Sequence, residues 1–117
     1  MQTTETPRAI NIYTESNPTP NTLKFVVNFM LMPEGISRDY PNAESTEEAP
    51  LAKALFETFD YVTGVFYMSN FITVAKKEET EWFEVKAQVQ QFIKDFLTEG
   101  KSIISEELTD DIDAELT

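Results

Sequence analysis

The sequence predicts a two-layer α+β domain, and three observations predict it. Leu23, Phe25, Val27, Phe29 and Leu31 alternate, as a strand with one buried face requires. Two apolar stripes recur at helical spacing, Leu51, Leu55, Phe56, Phe59 and Val62, then Trp82, Val85, Val89, Phe92, Ile93 and Phe96. Between them, residues 65–67 and 71–76 are β-rich and are parted by Met68-Ser69-Asn70, which reads as a hairpin. The order is strand, strand, a short third strand, helix, hairpin, helix (β-β-(β)-α-β-β-α). The sheet is antiparallel or mixed, and both helices pack on one of its faces.

Each element has its own signal. Residues 9–14 place Ile10, Ile12 and Thr14 on one alternating face and Tyr13 on the other, so a first strand is expected there. Asn17-Pro18-Thr19-Pro20-Asn21 follows, where two prolines fix φ and remove two donors, making a stiff connection. The second strand is expected over residues 23–31. Residues 33–50 are polar and turn-rich, with a short edge strand at 36–40. Pro50 suits the first turn of a helix over residues 50–60, and the preceding Thr46, Glu47 and Glu48 favour a helix start. Gly100 is placed to stop the second helix. Ile103 and Ile104 are expected to pack back on the body. Residues 1–9 read as a disordered N-terminus, residues 10–104 as one domain, and residues 105–117 as an acidic linker or tail.

Composition narrows the chemistry. The chain has no histidine and no cysteine in 117 residues. Those side chains supply most nucleophile–base pairs and nearly all thiolate and imidazole metal ligands. With only Gly35, Gly64 and Gly100 as glycines, there is no phosphate-cradling loop either. The tyrosines have no imidazole or thiolate base to accompany them. The expectation is a protein that is not an enzyme. Nine basic against twenty-one acidic residues leave a net charge of −12, which repels phosphate backbones and argues against nucleic acid. No apolar run approaches the roughly 20 residues of a membrane span, and the N-terminus lacks an export pattern. No membrane partner and a cytoplasmic location are therefore expected.

Few residues offer binding chemistry. The Asn17–Asn21 loop presents two amides on a stiffened backbone, a recognition surface with little entropy to lose. Lys24 is a lone cation on an apolar strand. Trp82 reads as a packing anchor at a helix start. Glu78, Glu79 and Glu81, with Glu84, could weakly hold ferrous iron, although acidic residues also simply complement a helix N-terminus.

Several segments resemble one family. Asn17-Pro18-Thr19-Pro20-Asn21-Thr22-Leu23-Lys24-Phe25 resembles the opening signature of the Nfu/NifU iron–sulfur cluster scaffold N-terminal domain, commonly Pro-Asn-Pro-Asn-Ser-Leu-Lys-Phe. Ala49-Pro50-Leu51-Ala52-Lys53-Ala54-Leu55-Phe56 is similar to the family's Ser-Pro-Leu-Ala-x-x-Leu-Phe helix. Val65-Phe66 and Phe71-Ile72-Thr73-Val74 resemble its hairpin, and Trp82, Phe96 and Gly100 follow in order. The resemblance covers residues 10–104. Two positions depart: Tyr61 stands where a glycine is common, and Met68-Ser69-Asn70 replaces a Gly-Pro-Asp turn.

The resemblance implies a non-catalytic accessory or recognition domain in iron–sulfur cluster assembly. Family members usually carry a further C-terminal domain whose Cys-x-x-Cys pair binds the cluster. This chain would then be an excised N-terminal domain or a stand-alone form. It implies no cofactor bound by this domain alone, with iron or an Fe–S cluster held through the Cys-x-x-Cys domain. The implied partners are Fe–S client or assembly proteins and that domain. The contact surface expected is Asn17, Pro18, Asn21 and Lys24 with the hairpin turn Ser69 and Asn70. The alternatives are a weak carboxylate-based iron-binding protein using Glu78, Glu79 and Glu81, or a stand-alone adaptor.

Overall fold

The computed structural model of the chain describes residues 10–17, 19, 21–100 and 103. The N-terminal segment 1–9, Pro18, Ile104 and the acidic tail 105–117 lie outside the described residues. Among the described residues five strands form a single antiparallel sheet: β1 (Ile12–Ser16), β2 (Thr22–Val27), β3 (Ser37–Tyr40), β4 (Val62–Met68) and β5 (Phe71–Lys76). Their spatial order is β1-β2-β5-β4-β3. Helix α1 (Pro50–Thr58) follows a short 3-10 turn at Ala43–Thr46, and α2 (Trp82–Thr98) closes the domain.

Register explains the two layers. Thr14, Phe25, Ile72, Tyr67 and Arg38 form one row across the sheet, and Ser16, Leu23, Val74, Val65 and Tyr40 form the next on the same face. Phe25, Ile72, Tyr67 and Val74 are fully buried. The Phe25 ring meets Trp82 of α2 edge-on at 5.9 Å, and the Tyr67 hydroxyl reaches Ala52 of α1. Both helices therefore cover this face, as the stripes require. Helix α1 buries Leu51, Ala52 and Leu55, while α2 buries Val85, Val89, Ile93 and Phe96. Full burial of a Leu, Ile, Val or Phe side chain contributes about 1.5–3 kcal/mol.

The opposite face carries no helix among the described residues. One of its rows is Tyr13, Val26, Phe71, Met68 and Ser37, and the next is Glu15, Lys24, Thr73, Phe66 and Asp39.

Several boundaries differ from expectation for physical reasons. β2 stops at Val27 rather than residue 31, because Leu31 and Met32 turn their N–H groups to the Ser69 carbonyl in the hairpin turn. β1 runs on to Ser16, since Ser16 pairs with Leu23 across the proline loop. β4 begins at Val62 because a bulge between Val62 and Gly64 lets the pairing continue past a glycine. The turn is the two residues Ser69-Asn70, with Ser69 at φ 48. Helix α1 ends at Thr58, two residues early. Gly100 adopts φ 80 just past α2, the left-handed conformation that stops a helix at low steric cost. Ile103 is buried against the core.

Candidate functional site

The expected contact residues are distributed along the whole length of β2. Asn17 follows the last residue of β1, and its side-chain amide donates to the Thr22 hydroxyl at 3.0 Å. Asn21 precedes β2, and its Oδ1 accepts from the Lys76 ammonium at 3.2 Å. Lys24 lies mid-strand on the open face, 3.4 Å from Glu15 and with its ammonium 4.1 Å from the centre of the Phe71 ring. Ser69 and Asn70 sit beyond the other end of β2. Asn70 accepts from the Val27 N–H at 2.7 Å and donates its own amide to the Val27 carbonyl at 3.0 Å.

At about 3.4 Å per residue, the six residues of β2 separate the proline loop from the turn by about 17 Å. The structure thus brings Asn17 and Asn21 to one end of the sheet. Ser69 and Asn70 lie at the other end, where they tie down the 28–32 segment, and the two groups do not form one patch. Sequence spacing could not show this, because strand direction decides which turn meets which loop.

The Asn21 end contains a buried cation. Lys76 is 6% exposed, and its ammonium donates to Asn21 Oδ1 and to its neighbour's carbonyl, Lys77 O, both at 3.2 Å. The Trp82 ring lies 5.8 Å away. Both acceptors are neutral, so hydrogen bonds and the indole face carry the compensation for lost hydration. The Trp82 indole N–H is itself buried with no acceptor among the described residues. Trp82 otherwise packs against the core, the anchoring role its position predicts.

Beside this end runs a cleft of about 360 Å³, lined by Thr14, Ser16, Asn17, Thr22, Leu23, Trp82, Phe83 and Lys86. Of these, sequence reasoning named only Asn17 as a contact residue. Phe83 offered a signal: it falls off the apolar stripe of α2 and stands 80% exposed.

Glu78, Glu79 and Glu81 are exposed. Among the described residues no group of three or more His, Cys, Asp or Glu side chains could hold a metal ion, these three included. With no cysteine or histidine anywhere in the chain, the donor set does not fit an iron–sulfur cluster. Among the described residues no helix is long and apolar enough to cross a membrane.

Comparison with known proteins places these features in a family. Residues 12–100 match the family model described as scaffold protein Nfu/NifU N terminal. The chain is 35% identical over 99 residues to a mitochondrial NFU1 iron–sulfur cluster scaffold homolog of Drosophila sechellia, covering 85% of this chain and 35% of that protein. It is 38% identical over 95 residues to the Drosophila grimshawi homolog, covering 81% of this chain and 32% of that protein. The chain thus spans about a third of the length of the curated relatives it matches.

Among solved structures, a NifU-like protein of Saccharomyces cerevisiae superposes with a TM-score of 0.73 at 23% identity, over 86% of this chain and 88% of that one. A Staphylococcus aureus protein superposes at 0.59 with 20% identity, over 74% of this chain and 99% of that one. At these identities the likeness is one of fold, and it matches the α+β architecture described above.

The relatives correct one expectation. A cytoplasmic location was read from the lack of cysteine and of an export pattern, whereas the matched NFU1 homologs are named as mitochondrial. Missing cysteines and a missing secretory pattern speak to redox state and export. Neither separates one reducing compartment from another.

Proposed function

We propose, for a chain that belongs to the Nfu/NifU scaffold N-terminal family, that it is the non-catalytic recognition domain of an iron–sulfur cluster scaffold or carrier. It contacts Fe–S client or assembly proteins, or a Cys-x-x-Cys domain that holds the cluster. The observation that carries this reading is the pairing of family membership with a donor-free chain. The family match spans residues 12–100, yet the sequence contains neither thiol nor imidazole. Iron–sulfur clusters are held by thiolates and sometimes imidazoles, so such a domain acts on cluster traffic through protein contact.

The cluster is cargo for the scaffold and not a group this domain ligates. The domain's contribution is a rigid surface. Its strands are stitched at one end by Asn70 and Val27, and at the other by Asn21 and Lys76. A preorganised surface loses little entropy on binding. The acidic balance favours rapid encounter with basic partners.

Anaerobic reconstitution tests the reading. The chain is incubated with ferrous iron and sulfide, alone and together with the Cys-x-x-Cys domain of an Nfu protein. Cluster absorbance is expected only when the second domain is present, and the chain should co-elute with it or with an apo-client on size exclusion. A cluster held by the chain alone would overturn the reading.

A further inference from the structure

Along the outer edge of β1, beside the cleft, runs a row of backbone groups that no strand among the described residues takes up. Antiparallel partners alternate between pairs that exchange hydrogen bonds and pairs that do not. Asn28 donates its N–H to the Asn11 carbonyl, so Asn11, Tyr13 and Glu15 turn their backbone groups inward to β2. Ile12, Thr14 and Ser16 therefore turn theirs outward. The Ile12 carbonyl is capped by the Gln90 side chain of α2 at 2.6 Å. Thr14 and Ser16 are the next two outward-facing residues, and both line the cleft. Among the described residues β1 ends the sheet, so no neighbouring strand takes these groups.

What surrounds the edge suits a strand with apolar side chains on both faces. Phe83, 80% exposed, stands on the helix side, and Tyr13, 58% exposed, stands on the open side. They are the two most exposed large apolar side chains among the described residues, and both flank this one edge. Leu23 and Trp82 add apolar floor. Among the described residues Lys86 supplies the lining's one charge and no carboxylate lines the cleft, although acidic residues outnumber basic ones twenty-one to nine in the chain.

We propose that this edge binds an extended segment of a partner protein as a sixth strand. The segment pairs with the backbone of Thr14 and Ser16, rests apolar side chains on Phe83 and Tyr13, and places a carboxylate at Lys86. Main-chain bonds supply the affinity of such strand addition, and side chains on the two faces supply its selectivity. The inference rests on the recognition reading for who provides the strand, and on the edge geometry for where it lands.

The test is amide hydrogen exchange by NMR on the full chain. The probe is a capped octapeptide of valine and threonine with one central glutamate, and the control carries lysine in its place. At saturation the glutamate peptide should slow exchange at Thr14 and Ser16 by about tenfold or more. Lys86→Glu should weaken it about tenfold and favour the lysine peptide, and Phe83→Ala should also weaken it. Both substitutions are at exposed positions, so the fold survives them.

No slowing at these two amides, or equal binding of both peptides, would overturn the proposal. So would slow exchange in the free chain that is lost on removing residues 105–117, which would make the chain's own acidic tail the occupant. An apo-client that binds with Thr14 and Ser16 unchanged would sink the edge and leave the recognition reading standing. Peptide addition at the edge without binding of any apo-client or Cys-x-x-Cys domain would do the reverse.

Discussion

The Tyr67 hydroxyl donates to the Ile103 carbonyl at 3.0 Å, linking β4 to the segment after α2. The same oxygen accepts from the Ala52 N–H at 2.9 Å. Helix α1 begins on Ala49, which has no side chain to cap it, and Pro50 removes one orphan donor. A strand tyrosine thus caps this helix from across the core. Tyr67→Phe keeps the ring but leaves one buried N–H and one buried carbonyl without partners. A loss of about 1–3 kcal/mol is expected in urea unfolding.

Alkaline pH should destabilise the domain. Burial pushes the Tyr67 phenol far above its ordinary range, with the Ala52 N–H opposing only part of the shift. Burial also raises Tyr40, against the pull of Arg38, and raises Tyr61, with Asp60 adding to the effect. A raised folded value means that the folded state holds its protons after the unfolded chain has begun to lose them. Stability is then present in full below the ordinary value of 10.0 and falls as pH rises beyond it. The urea midpoint should be insensitive to tyrosine ionisation below that value and decline above it. Tyrosinate absorbance in the folded protein should lag that of the unfolded chain.

Ser69 is held at φ 48, where a side chain crowds its own backbone. Ser69→Gly relieves that crowding, partly offset by the freer unfolded chain. A net gain of about 0.5–1 kcal/mol is expected. Because Ser69 and Asn70 serve the 28–32 segment, this variant should raise the thermal midpoint.

Asn21→Ala removes a side-chain acceptor from the buried Lys76 ammonium. It should cost about 1–3 kcal/mol. Lys76→Met removes the charge together with its need for acceptors, and should stay within about 1 kcal/mol of the parent. Weaker partner binding by Asn21→Ala must therefore be compared with the fraction folded before a contact is assigned to that amide.

Strand and helix identities were legible because burial is mostly one-sided, with Val26 on the open face as an exception. Leu23, Phe25 and Val27 alternate, and Val85, Val89, Ile93 and Phe96 recur on one helix face, so local period alone names both elements. Boundaries were less legible where tertiary bonds decide them. β2 stops because Ser69, far along the chain, takes the N–H groups of Leu31 and Met32. The bulge at Val62–Gly64 hid three strand residues behind a glycine. The candidate site was legible by residue type and not by arrangement. Asn17 and Asn21 share one end of the sheet, whereas Ser69 and Asn70 occupy the other. The cleft beside β1 needed strand order and hydrogen-bond alternation, neither of which is written in local pattern.

The most direct measurement is an NMR titration of the isotopically labelled chain. The partners are the Cys-x-x-Cys domain of an Nfu protein, apo and cluster-loaded, and an apo Fe–S client enzyme. Saturable shifts with at least one of them, in a chain that takes up no cluster itself, are the predicted result. Unmoved resonances with every partner, or a cluster that settles on this chain alone, would contradict a recognition domain.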